Sequence, residues 1–297
     1  MKKTLLILAG GMGSRFGGLK QIEPIGPNGE FLIHYSIYDA IKSGYNKIIF
    51  IIKEENYDVF KEKVGSKLDK EIEIHYVFQK NDEIKEKINI PEDRLKPLGT
   101  AHAIYCAKDI IKENFTIINA DDFYGRESYQ LLSDFMETSK NNFCIAGYVL
   151  GNTVTESGSV KRGVCIQKDS KLIELVESNI EKIEKGYKAS ALTDSRDIKV
   201  TFDTLVSMNM ISFTPKLFDY IEENIYNFFN NNIDKIDKIE YLIPEVMNEM
   251  LQKKLVEISV IKTPAKWLGM TYKEDKDIVE KEIKDLIKKG VYPSILF

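Results

Sequence analysis

The chain has 297 residues and a net charge of −4, from 42 basic and 46 acidic side chains, with 43% apolar and 30% charged residues. That is the composition of a soluble globular protein long enough to bury its own core. The lack of a basic excess argues against a nucleic-acid partner, yet a local positive pocket for small anions fits inside a mildly acidic protein.

Residues 4–9 (TLLILA) form a continuous apolar run, the pattern of a parallel strand covered on both faces. The two lysines before it resemble a secretory leader. However, the run is short, and glycines follow where an apolar segment would have to continue. No stretch approaches transmembrane length. The expected location is the cytoplasm, with no membrane partner. A glycine-rich loop spans 10–29, and 31–43 has helical periodicity, with Ile33, Ile37 and Ile41 on one face and Gly44 placed to end it. A second buried strand at 47–52 (KIIFII) completes a βαβ unit.

The alternation continues with a helix at 57–68, a strand at 73–78, an exposed charged excursion at 80–96, a helix at 100–112 and a strand at 115–120. Short strands follow at 143–149, 163–167 and 172–176, and the polar stretch 177–197 reads as a mobile loop. Then come a strand at 204–213, helices at 215–230 and 240–252, a strand at 256–261 and an amphipathic helix at 271–289. Cys106, Cys144 and Cys165 are too scattered for a disulfide framework or a zinc pattern, and His34, His75 and His102 form no metal cluster in sequence.

The segment 8–21 (LAGGMGSRFGGLKQ) lies between a strand and a helix. Gly10, Gly11 and Gly13 let the backbone approach phosphate oxygens and aim N–H groups at them, and Arg15 and Lys20 add positive charge. A Walker loop would need Ser or Thr after the lysine, where Gln21 stands. A dinucleotide fingerprint counted from Gly11 would need glycine at Phe16.

This segment resembles the signature L-A-G-G-x-G-x-R with a following lysine, which marks the nucleotidyltransferase superfamily that makes nucleotide sugars and related activated molecules. Its short Arg15–Lys20 interval is closer to that of molybdenum-cofactor guanylyltransferases. The resemblance implies a Rossmann-like α/β fold, a three-layer sandwich with a central mixed, mostly parallel sheet. The expected organisation is one domain: a nucleotide-binding half at 1–125, an acceptor-binding half at 126–260 and a C-terminal helical segment at 261–297. The implied substrates are a nucleoside triphosphate and a phosphorylated small molecule, with Mg²⁺ as cofactor and a homo-oligomer left open.

By the same resemblance, Ala9, Gly10, Gly11 and Gly13 hold the nucleotide, and Gln79 with Gly99 and Thr100 of PLGTAHA contacts its base. Asp121 of INADDFYG is the Mg²⁺ ligand, and Arg15, Lys20 and Asp121 carry catalysis. Two carboxylates after a buried strand also suit Mg²⁺ on chemical grounds, since it takes hard oxygen ligands together with substrate phosphates. Asp122, Arg162, Gly163, Glu177 and Asn209 are the expected acceptor-binding residues. Ser178 stands where the family's V-E-K-P segment has lysine, which leaves Lys161 or Arg162 to meet the acceptor phosphate. Gly269 and Met270 fall where many relatives have W-x-D-x-G, whose Asp is a second metal ligand. Asp122, Asp275, or phosphate and water are the substitutes, and Trp267 by itself reads as a packing residue.

The expected reaction converts NTP and a sugar 1-phosphate into an NDP-sugar and pyrophosphate. Three alternatives differ from it. They are a CTP-dependent enzyme acting on phosphocholine or another phospho-alcohol, a glycosyltransferase of related fold, and a non-catalytic nucleotide sensor. Adjacent Asp121 and Asp122 do not make the D-x-D of the second, and Arg15, Lys20 and Asp121 argue against the third.

Overall fold

In the computed structural model, residues 2–11, 22–68, 72–139, 142–154, 158–270 and 275–297 are described. The first apolar run is β1 (Thr4–Leu8), followed by α1 (Leu32–Lys42), β2 (Lys47–Ile52), α2 (Tyr57–Lys63) and β3 (Glu73–Phe78). Next come the short α3 (Asp82–Lys85), α4 (Thr100–Tyr105), β4 (Phe115–Asn119) and the two-residue β5 (Asp122–Phe123). β1 lies in parallel register between β2 and β4, so that Leu6 is flanked by Ile49 and Ile117. A strand with neighbours on both sides and helices above and below has no wet face. That is why it reads as an unbroken apolar run rather than an alternation.

After α5 (Arg126–Thr138) the chain forms β6 (Phe143–Val149), β7 (Ser159–Lys168), β8 (Lys171–Ile183), β9 (Gly186–Ala191) and β10 (Leu205–Phe213). The last elements are α6 (Lys216–Asn231), α7 (Ile243–Gln252), β11 (Ile258–Lys262), β12 (Leu268–Gly269) and α8 (Asp275–Lys288). The central sheet runs β3–β2–β1–β4–β10–β6–β11–β8–β7, with β9 paired to β8 and a further β10–β7 pairing.

The sheet is mixed, and the expectation of a mostly parallel one is corrected. β1 to β4 are mutually parallel, as is the β6–β11 pair, but β10 is antiparallel to β4, β6 and β7, and β7, β8 and β9 form antiparallel hairpins. The reason is connectivity. Helical crossovers in the first half return each strand in the same direction, while the two-residue turns after β7 and β8 reverse the chain in the second. The stretch 177–197 is likewise no simple loop, because β8 continues to Ile183 and pairs with β9. Its buried face carries Val176, Ser178 and Ile180, and the buried serine disguises the strand's alternation.

Side chains of alternate parity pack on opposite faces of the sheet. Leu6, Ile49, Ile51 and Ile117 join one cluster with α4, α6 and α7. Leu5, Ile7, Ile48, Phe50 and Ile118 join another with α1, α2 and α5. Each such aliphatic side chain contributes roughly 1.5–3 kcal/mol by leaving water. A third cluster, including Tyr35, Phe123, Met270, Ile283 and Tyr292, docks α8 and the C-terminal residues on α1. Among the described residues no helix is long and apolar enough to cross a membrane.

Candidate active site

The carboxyl ends of β1, β3 and β4 reach the same edge of the sheet, where an open α/β fold leaves a crevice. There the Ala9 N–H donates to the Ile51 carbonyl at 2.8 Å and the Ala120 N–H to the Leu8 carbonyl at 3.1 Å. Gly10 follows at once, and a Cβ built on it would stand 3.6 Å from Gln79 Oε1. The backbone-lined turn and Gln79 are therefore neighbours. Gly13, Arg15 and Lys20 lie outside the described residues.

Gln79 Nε2 is 3.5 Å from the Gly99 carbonyl and 3.4 Å from His102 Nδ1. A carbonyl only accepts, so the amide nitrogen faces it and Oε1 is turned toward Gly10. His102 is buried, and burial holds its pKa at about 4, with a hydrogen bond to the Lys80 carbonyl opposing that shift. The neutral ring thus offers Nδ1 as an acceptor to Gln79. Gly99 has φ +110°, and a Cβ there would lie 2.3 Å from the Tyr241 carbonyl oxygen, so only glycine fits. The segment before α7 straps this turn: Tyr241 N–H donates to the Leu98 carbonyl at 2.8 Å, and Ala101 N–H to the Tyr241 carbonyl at 3.0 Å. Thr100 Oγ1 accepts the Ile243 N–H at 3.0 Å, which ties its hydroxyl oxygen to the strap.

At the end of β4 lies a polar cavity of about 200 Å³ lined by Asn119, Asp121, Asp122, Lys161, Arg162, Gly163, Glu177, Ser207, Met208, Asn209 and Trp267. Five separate segments build it. β4 ends in Asn119, whose Nδ2 donates to Asp122 Oδ2 at 2.9 Å. The buried Tyr124 hydroxyl accepts the Asn119 N–H at 3.0 Å and lies 3.0 Å from the Met208 carbonyl and 3.2 Å from Asp122 Oδ2. That hydroxyl joins the acidic turn to β10. β10 is bulged between Ser207 and Ile211, where its register on β6 shifts, and Asn209 has φ +62°. A bulge re-aims the side chain it carries, and asparagine tolerates the left-handed region better than most residues.

The β7–β8 ladder supplies the opposite wall, with Gly163 facing Glu177 and Arg162 facing Ser178. A Cβ on Gly163 would come within 2.9 Å of Glu177 Oε1, so the glycine makes room for that carboxylate. Burial pushes the Glu177 carboxyl up from its usual range, against the pull of Arg162 and Lys161. Burial also lowers the Arg162 guanidinium to about 10, opposed by Asp122 and Glu177. Ser178 is fully buried and donates to the Val176 carbonyl at 2.9 Å.

The position that resembles a second metal ligand is closed. β12 pairs with β5, setting Gly269 opposite Asp122. A Cβ on Gly269 would lie 2.4 Å from Trp267 Cη2 and 3.0 Å from Asp122 Oδ1. The indole and the Asp122 carboxylate already occupy that space. No group of three His, Cys, Asp or Glu side chains suited to a metal occurs among the described residues. Two adjacent carboxylates do fit Mg²⁺, which binds one or two carboxylates and completes its shell with water and substrate phosphates.

The Nucleotidyl transferase family model matches residues 4–270. The chain belongs to this family. Among curated proteins, the low-salt glycan biosynthesis nucleotidyltransferase Agl11 of Haloferax volcanii is 23% identical over 246 residues, covering 81% of this chain. The chain spans only 57% of the length of that relative. Among solved structures, the inositol-1-phosphate CTP transferase of T. maritima superposes with a TM-score of 0.65 at 14% identity, covering 96% of this chain and 97% of the other. A putative glucose-1-phosphate thymidylyltransferase of Bacillus anthracis, in complex with sucrose, gives 0.63 at 15% identity over 95% and 96%. A UDP-glucose pyrophosphorylase complexed with UDP-glucose gives 0.61 at 16% identity over 96% and 99%. At these identities the likeness establishes the fold.

Within this family fold, the acceptor residues expected from sequence, Asp122, Arg162, Gly163, Glu177 and Asn209, line one cavity together with Asp121. Gln79 reaches both Gly99 and the space beside Gly10. Three lining residues escaped the sequence reading: Asn119, Ser207 and Met208. Asn119 stands immediately before the Ala-Asp-Asp turn, where a polar residue ending an apolar strand is a signal in hindsight. Ser207 and Met208 gave none, because their exposure to the cavity follows from the bulge. Trp267, expected to pack, does pack, and it also forms part of the cavity wall.

Proposed function

We propose that the chain transfers NMP from an NTP to a phosphorylated acceptor, a sugar or cyclitol phosphate, releasing pyrophosphate. The observation that carries this reading is the cavity where Asp121, Asp122, Arg162, Glu177 and Asn209 converge, at the end of β4, the strand paired with the β1 that leads into Gly10. The putative glucose-1-phosphate thymidylyltransferase and the inositol-1-phosphate CTP transferase that share this fold support the acceptor class. Phosphocholine is disfavoured, because the Trp267 ring that could receive its cation already has Arg162 over it, 4.7 Å from the centroid.

In this reading the acceptor's phosphate oxygen attacks the α-phosphorus of the NTP. The bond from that phosphorus to the bridging oxygen breaks, and pyrophosphate leaves with the electron pair. The nucleophile is already anionic, so no side chain has to take a proton. Residues 1–125 supply the nucleotide end and 126–260 most of the acceptor end. Gly10, Gly11 and Gly13 bring backbone N–H groups to the phosphates, with Arg15 and Lys20 as cations, and Gln79 presents Oε1 to an N–H of the base. Glu177 and Asn209 hold acceptor hydroxyls. Mg²⁺, held by Asp121 with Asp122 beside it, would neutralise phosphate charge in the transition state. The chain's own contribution is placement and fixed charge.

The test is a panel of four NTPs crossed with sugar 1-phosphates, inositol 1-phosphate and phosphocholine, with Mg²⁺, reading pyrophosphate release. A sugar or inositol phosphate pair should stand out. Release with no pair, or transfer of sugar without pyrophosphate, overturns the proposal.

A further inference from the structure

Arg162 is a cation held in an unusual way. Its Nε and Nη2 both donate to the Thr153 carbonyl, and Nη1 donates to the Lys161 carbonyl at 2.8 Å. Its guanidinium carbon lies 4.7 Å from the centre of the Trp267 ring. Asp122 and Glu177 attract it from a distance, but its hydrogen bonds within the described residues go to main-chain carbonyls rather than to a carboxylate. A guanidinium has five N–H donors, and these contacts use three. Among the described residues one N–H on each terminal nitrogen remains, in a cavity that also holds Asp121.

The brace on the other side is built with equal economy. Trp267 is the single tryptophan of the chain. Its ring lies where any side chain at 269 would collide with it, so Gly269 is what admits the indole. Among the described residues its Nε1 is buried without a hydrogen-bond partner. An indole whose N–H is unused and whose face is covered by a guanidinium serves through that face. Carbonyl contacts hold all three guanidinium nitrogens, and the ring covers its face. A planar donor immobilised in this way is organised for a bidentate oxyanion.

We propose that Arg162, braced by Trp267, is the receptor for the phosphate of the acceptor, with Trp267 a positioning residue rather than a seat for a cationic head group. This rests on the transferase reading above. It also accounts for Ser178: the two residues are direct partners across the β7–β8 ladder, so the cation sits on β7 and the facing position on β8 is left small and buried.

The lone tryptophan makes the test direct, because its emission reports this cavity alone. The full chain is titrated with inorganic phosphate, glucose 1-phosphate, glucose and phosphocholine. Saturable changes are expected with inorganic phosphate and glucose 1-phosphate and none with glucose, with phosphocholine binding no tighter than inorganic phosphate. Arg162→Ser should raise the midpoints for the first two at least tenfold, and Arg162→Lys should raise them less. In turnover, Trp267→Phe should raise the acceptor KM and leave the NTP KM alone. An Arg162→Ser protein that melts like wild type and titrates with unchanged midpoints overturns the receptor. Tighter binding of phosphocholine than of inorganic phosphate overturns the role given to Trp267. The two readings fail separately. If wild type releases no pyrophosphate with any pair but its emission still answers glucose 1-phosphate through Arg162, the transfer falls and the receptor stands. If wild type turns over and Arg162→Ser keeps its acceptor KM, the receptor falls and the transfer stands.

Discussion

At the proposed nucleotide end of the cleft the positions singled out have little or no side chain, while at the proposed acceptor end nearly every one carries charge or an amide. Gly10 borders Gln79, and Gly99 lies against the backbone of Tyr241 so closely that no Cβ fits. Thr100 spends its hydroxyl on the Ile243 N–H. By contrast, Asp122, Arg162, Glu177 and Asn209 are brought from four segments and pointed by a bulge, a ladder and a stacked ring. A backbone-built end presents N–H groups common to any sequence and suits the phosphates common to all NTPs, with Gln79 as the side chain left to meet the base. A side-chain-built end is free to vary and suits the part that differs among acceptors. The contrast predicts that damage at the first end appears as lost stability or NTP binding, and at the second as lost acceptor recognition.

Asp121, between the two ends, should matter most. Asp121→Ala is expected to lower turnover about 100-fold, roughly 2.7 kcal/mol, the order seen when one source of transition-state charge stabilisation is removed. Pyrophosphate release at saturating substrates measures it, and a wild-type rate would remove Asp121 from the site. Gly99→Ala comes next. With φ +110° and a Cβ 2.3 Å from the Tyr241 carbonyl oxygen, the strap must move. A cost of about 2 kcal/mol is expected in a urea unfolding curve, together with a raised NTP KM and an unchanged acceptor KM. A matching rise in acceptor KM would break the division between the ends.

Glu177→Gln tests the other side. Loss of a charged acceptor for a substrate hydroxyl should raise the acceptor KM about tenfold, near 1.4 kcal/mol, and leave the NTP KM as it was. The Glu177 pKa is raised by burial, so on acidification this carboxylate gains its proton at a higher pH than an exposed glutamate would. Acceptor KM should therefore climb on the acid side, beginning above the ordinary carboxylate range, and the climb should flatten in Glu177→Gln. An identical profile in the variant would assign the acid limb to another group.

What could be read in the sequence follows the same contrast. β1 and β2 are near-continuous apolar runs because both of their faces are covered, and the glycine loop announces itself because backbone approach to an anion demands glycine. The residues of the acceptor cavity were legible only one by one, through short resemblances. Nothing local in Ser207-Met208-Asn209 encodes a bulge, since that depends on how β10 shifts its register against β6. The hairpin of β8 and β9 was hidden for a related reason: buried Ser178 interrupts an otherwise apolar face. The mixed character of the sheet was hidden too, because strand direction is set by the connections rather than by residues within a strand.

Thr100 gives the finest test of the comparison. The sequence resemblance assigns it to the base, whereas its hydroxyl accepts the Ile243 N–H at the start of α7. If that bond is its task, Thr100→Val should cost about 1 kcal/mol of stability, the usual price of stranding one partly buried donor, and Thr100→Ser should restore it. The NTP KM should then shift by the same modest factor for all four triphosphates, since the turn carrying Gly99 loosens without any base-specific contact being lost. A change of base preference in Thr100→Val at unaltered urea midpoint would mean that the hydroxyl reads the base after all. The nucleotide end would then share the side-chain logic of the acceptor end.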